Sequence, residues 1–272
     1  MKIVEINNGI TAPKGFLSSG IHCGVKEGYN KKDLALIYSK IPCNAAGVYT
    51  SNKVKGAPIL VCKKHLNNNT AQAIIANSGN ANTCNGDDGV SKAEKMTELA
   101  ASALKINKED VLVASTGVIG LPLNIDAIAD GVPSLVESLS ETGSDDTANA
   151  IMTTDTVKKE MAVTFKIGGK DVTLGSISKG SGMIEPNMCT MLSFITTDIK
   201  IDASLLKEAL TEAVNVSYNR VSVDGDMSTN DTVLILANGL AENDIIDSKN
   251  EDYYNFLEAL KYVTVKLSKQ VA

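Results

Sequence analysis

Met161-Ala-Val-Thr-Phe-Lys-Ile-Gly-Gly-Lys-Asp-Val-Thr-Leu-Gly-Ser-Ile-Ser178 is the stretch from which the fold class can be built. Two strand-length runs, residues 161–167 and 170–178, flank Gly168-Gly169. A two-residue hairpin turn needs positive φ angles, which glycine adopts without strain, so the stretch predicts an antiparallel hairpin. Upstream, residues 34–38, 46–50, 58–62, 73–76 and 111–114 are further strand-length apolar runs, several apolar enough to be buried on both faces. Helical patterns interleave with them. Ser91-x-x-Glu94 reads as a capping box, with Ala93, Met96, Leu99, Ala100, Ala103 and Leu104 at helical spacing. Asp202 caps a second helix carrying Leu205, Leu206, Ala209, Leu210, Ala213 and Val214, and a third runs from about Glu251 toward Leu267. Strands alternating with helices of this length predict an α/β or α+β fold whose sheets are covered by helices. The polar run Glu141-Thr-Gly-Ser-Asp-Asp146 is the expected linker.

Composition removes several functions. The 272 residues carry 26 Lys and Arg against 32 Asp and Glu, a net charge of −6. No Lys/Arg-dense stripe is present to neutralise phosphates, so a nucleic-acid partner is not expected. No apolar run reaches the roughly 18 residues that cross a bilayer, residues 1–8 lack a signal or transit pattern, and the cytoplasm is the default location. The five Cys are scattered without a Cys-x-x-Cys pair, and His22 and His65 are the only His, which supports neither a disulfide framework nor a metal site.

Four segments are too rich in Gly, Asn and hydroxyls to be core: Asn77-Ser-Gly-Asn-Ala-Asn-Thr-Cys-Asn-Gly86, Ser115-Thr-Gly117 with Gly120, Lys179-Gly-Ser-Gly-Met-Ile-Glu-Pro-Asn-Met-Cys-Thr190, and Asp224-Gly-Asp-Met-Ser-Thr-Asn-Asp231. Familiar motifs fail in them. Gly180-Ser-Gly182 lacks the third Gly of a dinucleotide fingerprint, Lys179 precedes rather than follows its Gly, and the calcium-loop beginning at Asp224 has Thr229 where the turn needs Gly. His22 and Cys23 are neighbours in an extended run and point to opposite faces, so a Cys–His nucleophile is disfavoured. With so few His, acyl-transfer chemistry needs another base, and a chain-terminal α-amine, with a pKa of about 7.7–8.0, is suitable.

The run Lys179 to Phe194, followed by Ile195-Thr-Thr-Asp198, closely resembles the self-cleaving centre of the glutamate/ornithine N-acetyltransferases of arginine biosynthesis. Thr11-Ala-Pro-Lys-Gly-Phe16, Ala76-Asn-Ser-Gly-Asn-Ala81, Ser115-Thr-Gly-Val-Ile-Gly120, Met152-Thr-Thr-Asp-Thr156, Ser222-Val-Asp-Gly-Asp226 and Ser228-Thr-Asn-Asp231 match in family order and span almost the whole chain. The resemblance implies an α/β sandwich of mixed sheets between helices, plus a smaller domain, and a precursor that cuts itself between Cys189 and Thr190. Residues 1–189 and 190–272 then form two chains, expected to assemble as a heterotetramer. Cys189 departs from the Ala common at that place.

The same resemblance makes Thr190 the nucleophile, which carries acetyl from N-acetylornithine to glutamate as an ester. Thr116 and Gly117 form the oxyanion hole, while Thr153 and Lys179 bind the amino-acid substrate. Thr154 and Asp155 stand beside Thr153 as candidates that the sequence does not separate from it. No metal or redox cofactor is implied, and acetyl-CoA serves some members as an acetyl donor. The rival readings are an N-terminal-nucleophile amidohydrolase or aminopeptidase, which passes its acyl group to water, and an incomplete, non-catalytic subunit. Family chains continue past the length of this one, so weak acetyl transfer and an apolar face of the last helix left in water are expected.

Overall fold

The computed structural model describes residues 1–26, 28, 30–181, 191–222, 224 and 226–272. Strands β1 (Val4–Ile6), β2 (Phe16–Ile21) and the long β3 (Leu34–Tyr49) come first, followed by α1 (Ala57–His65), β4 (Thr70–Asn77), α2 (Gly86–Leu104) and β5 (Val111–Ser115). Then come α3 (Ile125–Glu137), α4 (Ser144–Ala150), β6 (Lys159–Ile167), β7 (Lys170–Lys179), β8 (Leu192–Thr197), α5 (Ala203–Val216), β9 (Thr232–Ala237) and α6 (Glu251–Val271). The strands form one mixed sheet in the order β1-β6-β7-β8-β9-β3-β4-β5, with β2 beside β3. β4–β5 and β8–β9 are parallel; the other pairs are antiparallel.

β3 explains how one sheet makes two layers. Its register against β4 breaks between Tyr38 and Cys43. Before the break it pairs with β2, and beyond it residues 44–49 pair with β9. The two halves share a core in which Leu34, Leu36 and Ile74 join Ile177, Leu192, Phe194, Leu234 and Leu236. α1, α2 and α3 cover the β2–β5 half. The alternate residues of β8 and β9, Ile195, Val233 and Ile235, face α5 and α6 in a second core. The result is a helix–sheet–sheet–helix sandwich, the α/β arrangement expected.

Local chemistry accounts for the elements that the sequence predicts. Gly168 and Gly169 sit at φ +53° and +81°, and β6 pairs with β7 from Ile167↔Lys170 outward. Asp202 accepts the N–H groups of Ser204 and Leu205, satisfying two donors that an α-helix leaves orphaned at its start. Asn250 caps α6 by accepting the Tyr253 N–H at 3.0 Å.

Other expectations are corrected. Residues 58–62 are helix, inside α1, because Pro58 fits the first turn, where no amide hydrogen is needed. Ser91 lies inside α2 rather than at its cap, and Ala103 is exposed while Ala93, Met96 and Ala100 are buried. The run 141–146 is not a linker: Ser144 starts α4, is buried, and its hydroxyl takes the Ile10 N–H at 3.0 Å and donates to Glu160 at 2.7 Å. The apolar face of α6 is not left in water. Tyr253, Phe256, Leu257, Leu260, Val263 and Leu267 are buried in the second core, each worth roughly 1.5–3 kcal/mol, and Tyr254 is left outside.

Candidate active site

The bend in β3 brings the ends of β4, β5 and β7 against the starts of β8 and β9, and there the four polar segments meet. Asn230, just ahead of β9, is the staple. Its amide donates to Ala81 O at 2.6 Å and Ser115 O at 2.9 Å, while its carbonyl accepts from the Thr83 and Thr229 hydroxyls. Three segments are thereby tied by one side chain. The fourth joins through Lys179, the last residue of β7, whose ammonium donates to Thr116 Oγ1 at 3.0 Å and Thr153 Oγ1 at 3.1 Å.

Lys179 is 1% exposed, an unusual place for a cation. Burial pulls its pKa down from 10.5 to about 8; the negative charges of Asp155 and Asp231 oppose that pull and Lys159 adds to it. Asp155 is paired elsewhere, with Lys159 Nζ at 2.6 Å and the Gly180 N–H at 2.8 Å. Burial works against its charge, yet those two bonds and the nearby Lys179 hold the carboxyl below its usual range. Thr153, Thr154 and Asp155 are thus separated: Thr153 meets Lys179, Thr154 shares a 2.6 Å hydrogen bond with the exposed Ser181 hydroxyl, and Asp155 anchors Lys159 and Gly180.

Thr116 and Gly117 follow β5. The Thr116 N–H is used by Asn77 O, and its oxygen accepts from Lys179, so its own hydroxyl hydrogen can turn to a ligand. Gly117 has φ +132°, and a Cβ there would lie 2.3 Å from Gly79 C and 2.6 Å from Asn80 N, so only glycine fits. Its N–H has no hydrogen-bond partner among the described residues. Cys189 and Thr190 lie outside the described residues. Both flanks of their segment are anchored, Gly180 on Asp155 and Met191 through its N–H to Asp231 Oδ1 at 2.9 Å.

Sequence reasoning missed Asp231, Asn230 and Lys159 as individual residues, although Asn230 and Asp231 close a segment singled out for polarity. Asp231 is fully buried, and its Oδ2 has no hydrogen-bond partner among the described residues, as do Asn77 Oδ1 and Ser115 Oγ nearby. Burial pushes the Asp231 carboxyl up to about 8 against the Met191 N–H, Ser228 and Lys179, which favour its charge. Such orphaned polar atoms gather where a ligand or chemistry completes them.

The His–Cys alternative finds no support. His22 Nδ1 is taken by Lys31 O at 2.8 Å, and the Cys23 thiol is pushed up to about 12, chiefly by burial and then by Asp33. His65 is buried with Nδ1 on Val111 O. Among the described residues no group of His, Cys, Asp and Glu could hold a metal ion, and no helix is long and apolar enough to cross a membrane.

Residues 17–272 match the model of the ArgJ family. The arginine biosynthesis bifunctional protein ArgJ 1 of Clostridium acetobutylicum is 52% identical over 98% of this chain, which spans 65% of that protein's length. An ornithine acetyltransferase from Mycobacterium tuberculosis, solved with ornithine, is 36% identical at a TM-score of 0.63; the match covers 98% of that chain and 68% of this one. A β-aminopeptidase from a Burkholderia species shares the fold, with a TM-score of 0.64 at 14% identity over 98% of this chain and 87% of its own.

Proposed function

Since the chain belongs to the ArgJ family, we propose that it cuts itself between Cys189 and Thr190 and moves acetyl from N-acetylornithine to glutamate through an acetyl-Thr190 ester. The observation that carries this reading is the buried Lys179 ammonium held between the Thr116 and Thr153 hydroxyls, next to the segment that ends in Thr190. In the first step the Thr190 hydroxyl attacks the Cys189 carbonyl, an N-to-O shift that needs no external His, and water then opens the ester. Residues 1–189 leave with a new carboxylate, and Thr190 keeps a free α-amine. That amine is the base for its own hydroxyl in the transfer step.

In both steps an oxyanion develops on a carbonyl oxygen. The unpartnered Gly117 N–H and the Thr116 hydroxyl are its donors, each worth roughly 2.7–4 kcal/mol in such sites. The Lys179 hydrogen bond to Thr116 polarises that hydroxyl and aims it. Lys179 and Thr153 supply the cation and hydroxyl that suit the carboxylate shared by N-acetylornithine and glutamate. The Mycobacterium chain solved with ornithine matches nearly whole on 68% of this one, and residues 1–189 make up a little over two thirds of 272, the length a cut before Thr190 leaves.

Acetyl-CoA as a second donor, and association of the two fragments into a heterotetramer, belong to the same proposal. Intact mass spectrometry tests it. The protein should resolve into fragments 1–189 and 190–272, Thr190→Ala should stay a single chain, and N-acetylornithine without acceptor should add one acetyl to Thr190. An uncut wild type after prolonged incubation, or an acetyl mapped to Cys84, refutes it. Release to glutamate rather than to water separates this reading from an amidohydrolase.

A further inference from the structure

We propose that Lys159 is a positioning residue for carboxylate recognition: by holding Asp155 it keeps the buried Lys179 ammonium without a counter-ion of its own, so that a ligand carboxylate becomes that counter-ion. The inference rests on the carboxylate-binding role proposed for Lys179 above. An ammonium has three N–H donors and no acceptor. Lys179 spends two of them on the Thr116 and Thr153 hydroxyls, at 3.0 and 3.1 Å, and both acceptors are neutral. Among the described residues its third N–H meets no acceptor and no carboxylate forms an ion pair with it.

Three charged groups act on Lys179, namely Asp155, Asp231 and Lys159. The Asp155 side chain is fully buried and fully used: Oδ1 accepts from Lys159 Nζ at 2.6 Å and from the Gly180 N–H at 2.8 Å, and Oδ2 accepts the Thr153 N–H at 3.3 Å. Asp231 accepts the Met191 N–H, and burial pushes its carboxyl up to about 8, so near pH 7 it is mostly protonated and carries little charge. Lys159 opens β6 across from Ser178, the residue before Lys179, and its side chain is 4% exposed. A second cation beside a buried cation needs a reason, and the pairing with Asp155 supplies it.

Taken together, Lys159 and Asp155 cancel, Asp231 is close to neutral, and one positive charge is left over on Lys179. A buried charge without a partner is costly, and an entering carboxylate removes that cost while a neutral ligand of the same shape does not. Without Lys159 the balance shifts. Asp155 already holds the backbone of Thr153 and of Gly180, the residue after Lys179, so its freed carboxylate is placed to serve Lys179 as an internal counter-ion. A ligand carboxylate would then have to displace it.

The test reads Lys179 itself by NMR, with lysine carbon-labelled at Cε and the Lys179 resonance identified by its loss in Lys179→Met. Acetate is the probe, and chloride at equal ionic strength is the control. In the wild type acetate should raise the titration midpoint of Lys179 by about one unit or more, the effect of an opposite charge in contact, and chloride should not. In Lys159→Met the midpoint should start higher, and the acetate needed for the same rise should increase about tenfold or more, one pKa unit of interaction. Adding Asp155→Asn to Lys159→Met removes the competing anion and should restore the wild-type response. A merely structural role for Lys159 would impair both variants alike, and an equal acetate response in wild type and Lys159→Met overturns the proposal.

If Lys159→Met does not fold, the double variant decides. It should fold, because both members of the buried pair are replaced by neutral groups, and it should answer acetate as the wild type does. A double variant that is unfolded or ignores acetate overturns the proposal. Wild-type Lys179 that ignores acetate refutes the carboxylate role of Lys179 and this inference with it. Wild type that answers acetate but never cuts refutes the self-cleavage reading and leaves the role of Lys159 standing.

Discussion

Replacing Lys179 by Met should make the uncut protein more stable at neutral pH and less stable in alkali. Burial of the ammonium lowers its pKa from 10.5 to about 8, which amounts to roughly 3 kcal/mol charged against the folded state while the proton is bound in both states. Below pH 8 that cost is complete. Between pH 8 and 10.5 the unfolded chain binds a proton that the folded chain lacks, so wild-type stability gains with pH from this group, and above 10.5 the cost is gone. Met removes the cost at every pH but also removes the two hydrogen bonds to Thr116 and Thr153, about 1 kcal/mol each. Lys179→Met in a Thr190→Ala background should therefore gain roughly 1 kcal/mol at pH 7 and lose roughly 2 kcal/mol above pH 10.5. Urea midpoints of the two proteins, compared at half-unit steps from pH 6.5 to 10.5, give the difference. A difference that does not change with pH refutes the buried-cation account of Lys179.

Gly117→Ala should slow self-cleavage by about a hundredfold or more, because the Cβ meets backbone atoms of Gly79 and Asn80 and the N–H must move from its place; a time course of fragment appearance on a gel measures it. The same change should cost about 2–5 kcal/mol of stability from the φ of +132° and the clash together, read as a lowered urea midpoint. Asp155→Ala should cost about 3–5 kcal/mol, since it strands the buried Lys159 without its partner, and it should release the Gly180 N–H next to the cleavage segment; denaturant unfolding checks the first effect and fragment kinetics the second.

What was legible in the sequence was local. Gly168-Gly169, the Asp202 cap and the apolar stripe of α5 each depend on neighbours within a few residues, and each is found as read. Residues 58–62 misled because Ile59, Val61 and Cys62 look like strand, and what makes them helix is packing of α1 on β5. The run 141–146 was misread for the converse reason: its Ser144 hydroxyl finds partners in the half-buried Glu160 of β6 and in the buried Ile10, more than a hundred residues away. At the site, Thr116, Gly117, Thr153 and Lys179 could be named from the family resemblance, and their convergence follows from the bend of β3, which no local pattern announces. Asp231 escaped notice because an Asp at the end of a polar loop is ordinary until its burial and its grip on Met191 are known.

The strand order carries a consequence for the life of the molecule after a cut between β7 and β8. β8 lies between β7 and β9, and β9 lies against β3, so the two fragments would be laced together by backbone hydrogen bonds along both borders of the β8–β9 pair. Neither fragment has a complete sheet without the other. A fold acquired by one chain would persist as an assembly of two, and refolding after denaturation would change from a first-order process to a second-order one, faster at higher concentration and hopeless at high dilution. The nick would make folding a one-time event, performed by the precursor and inherited by the pair.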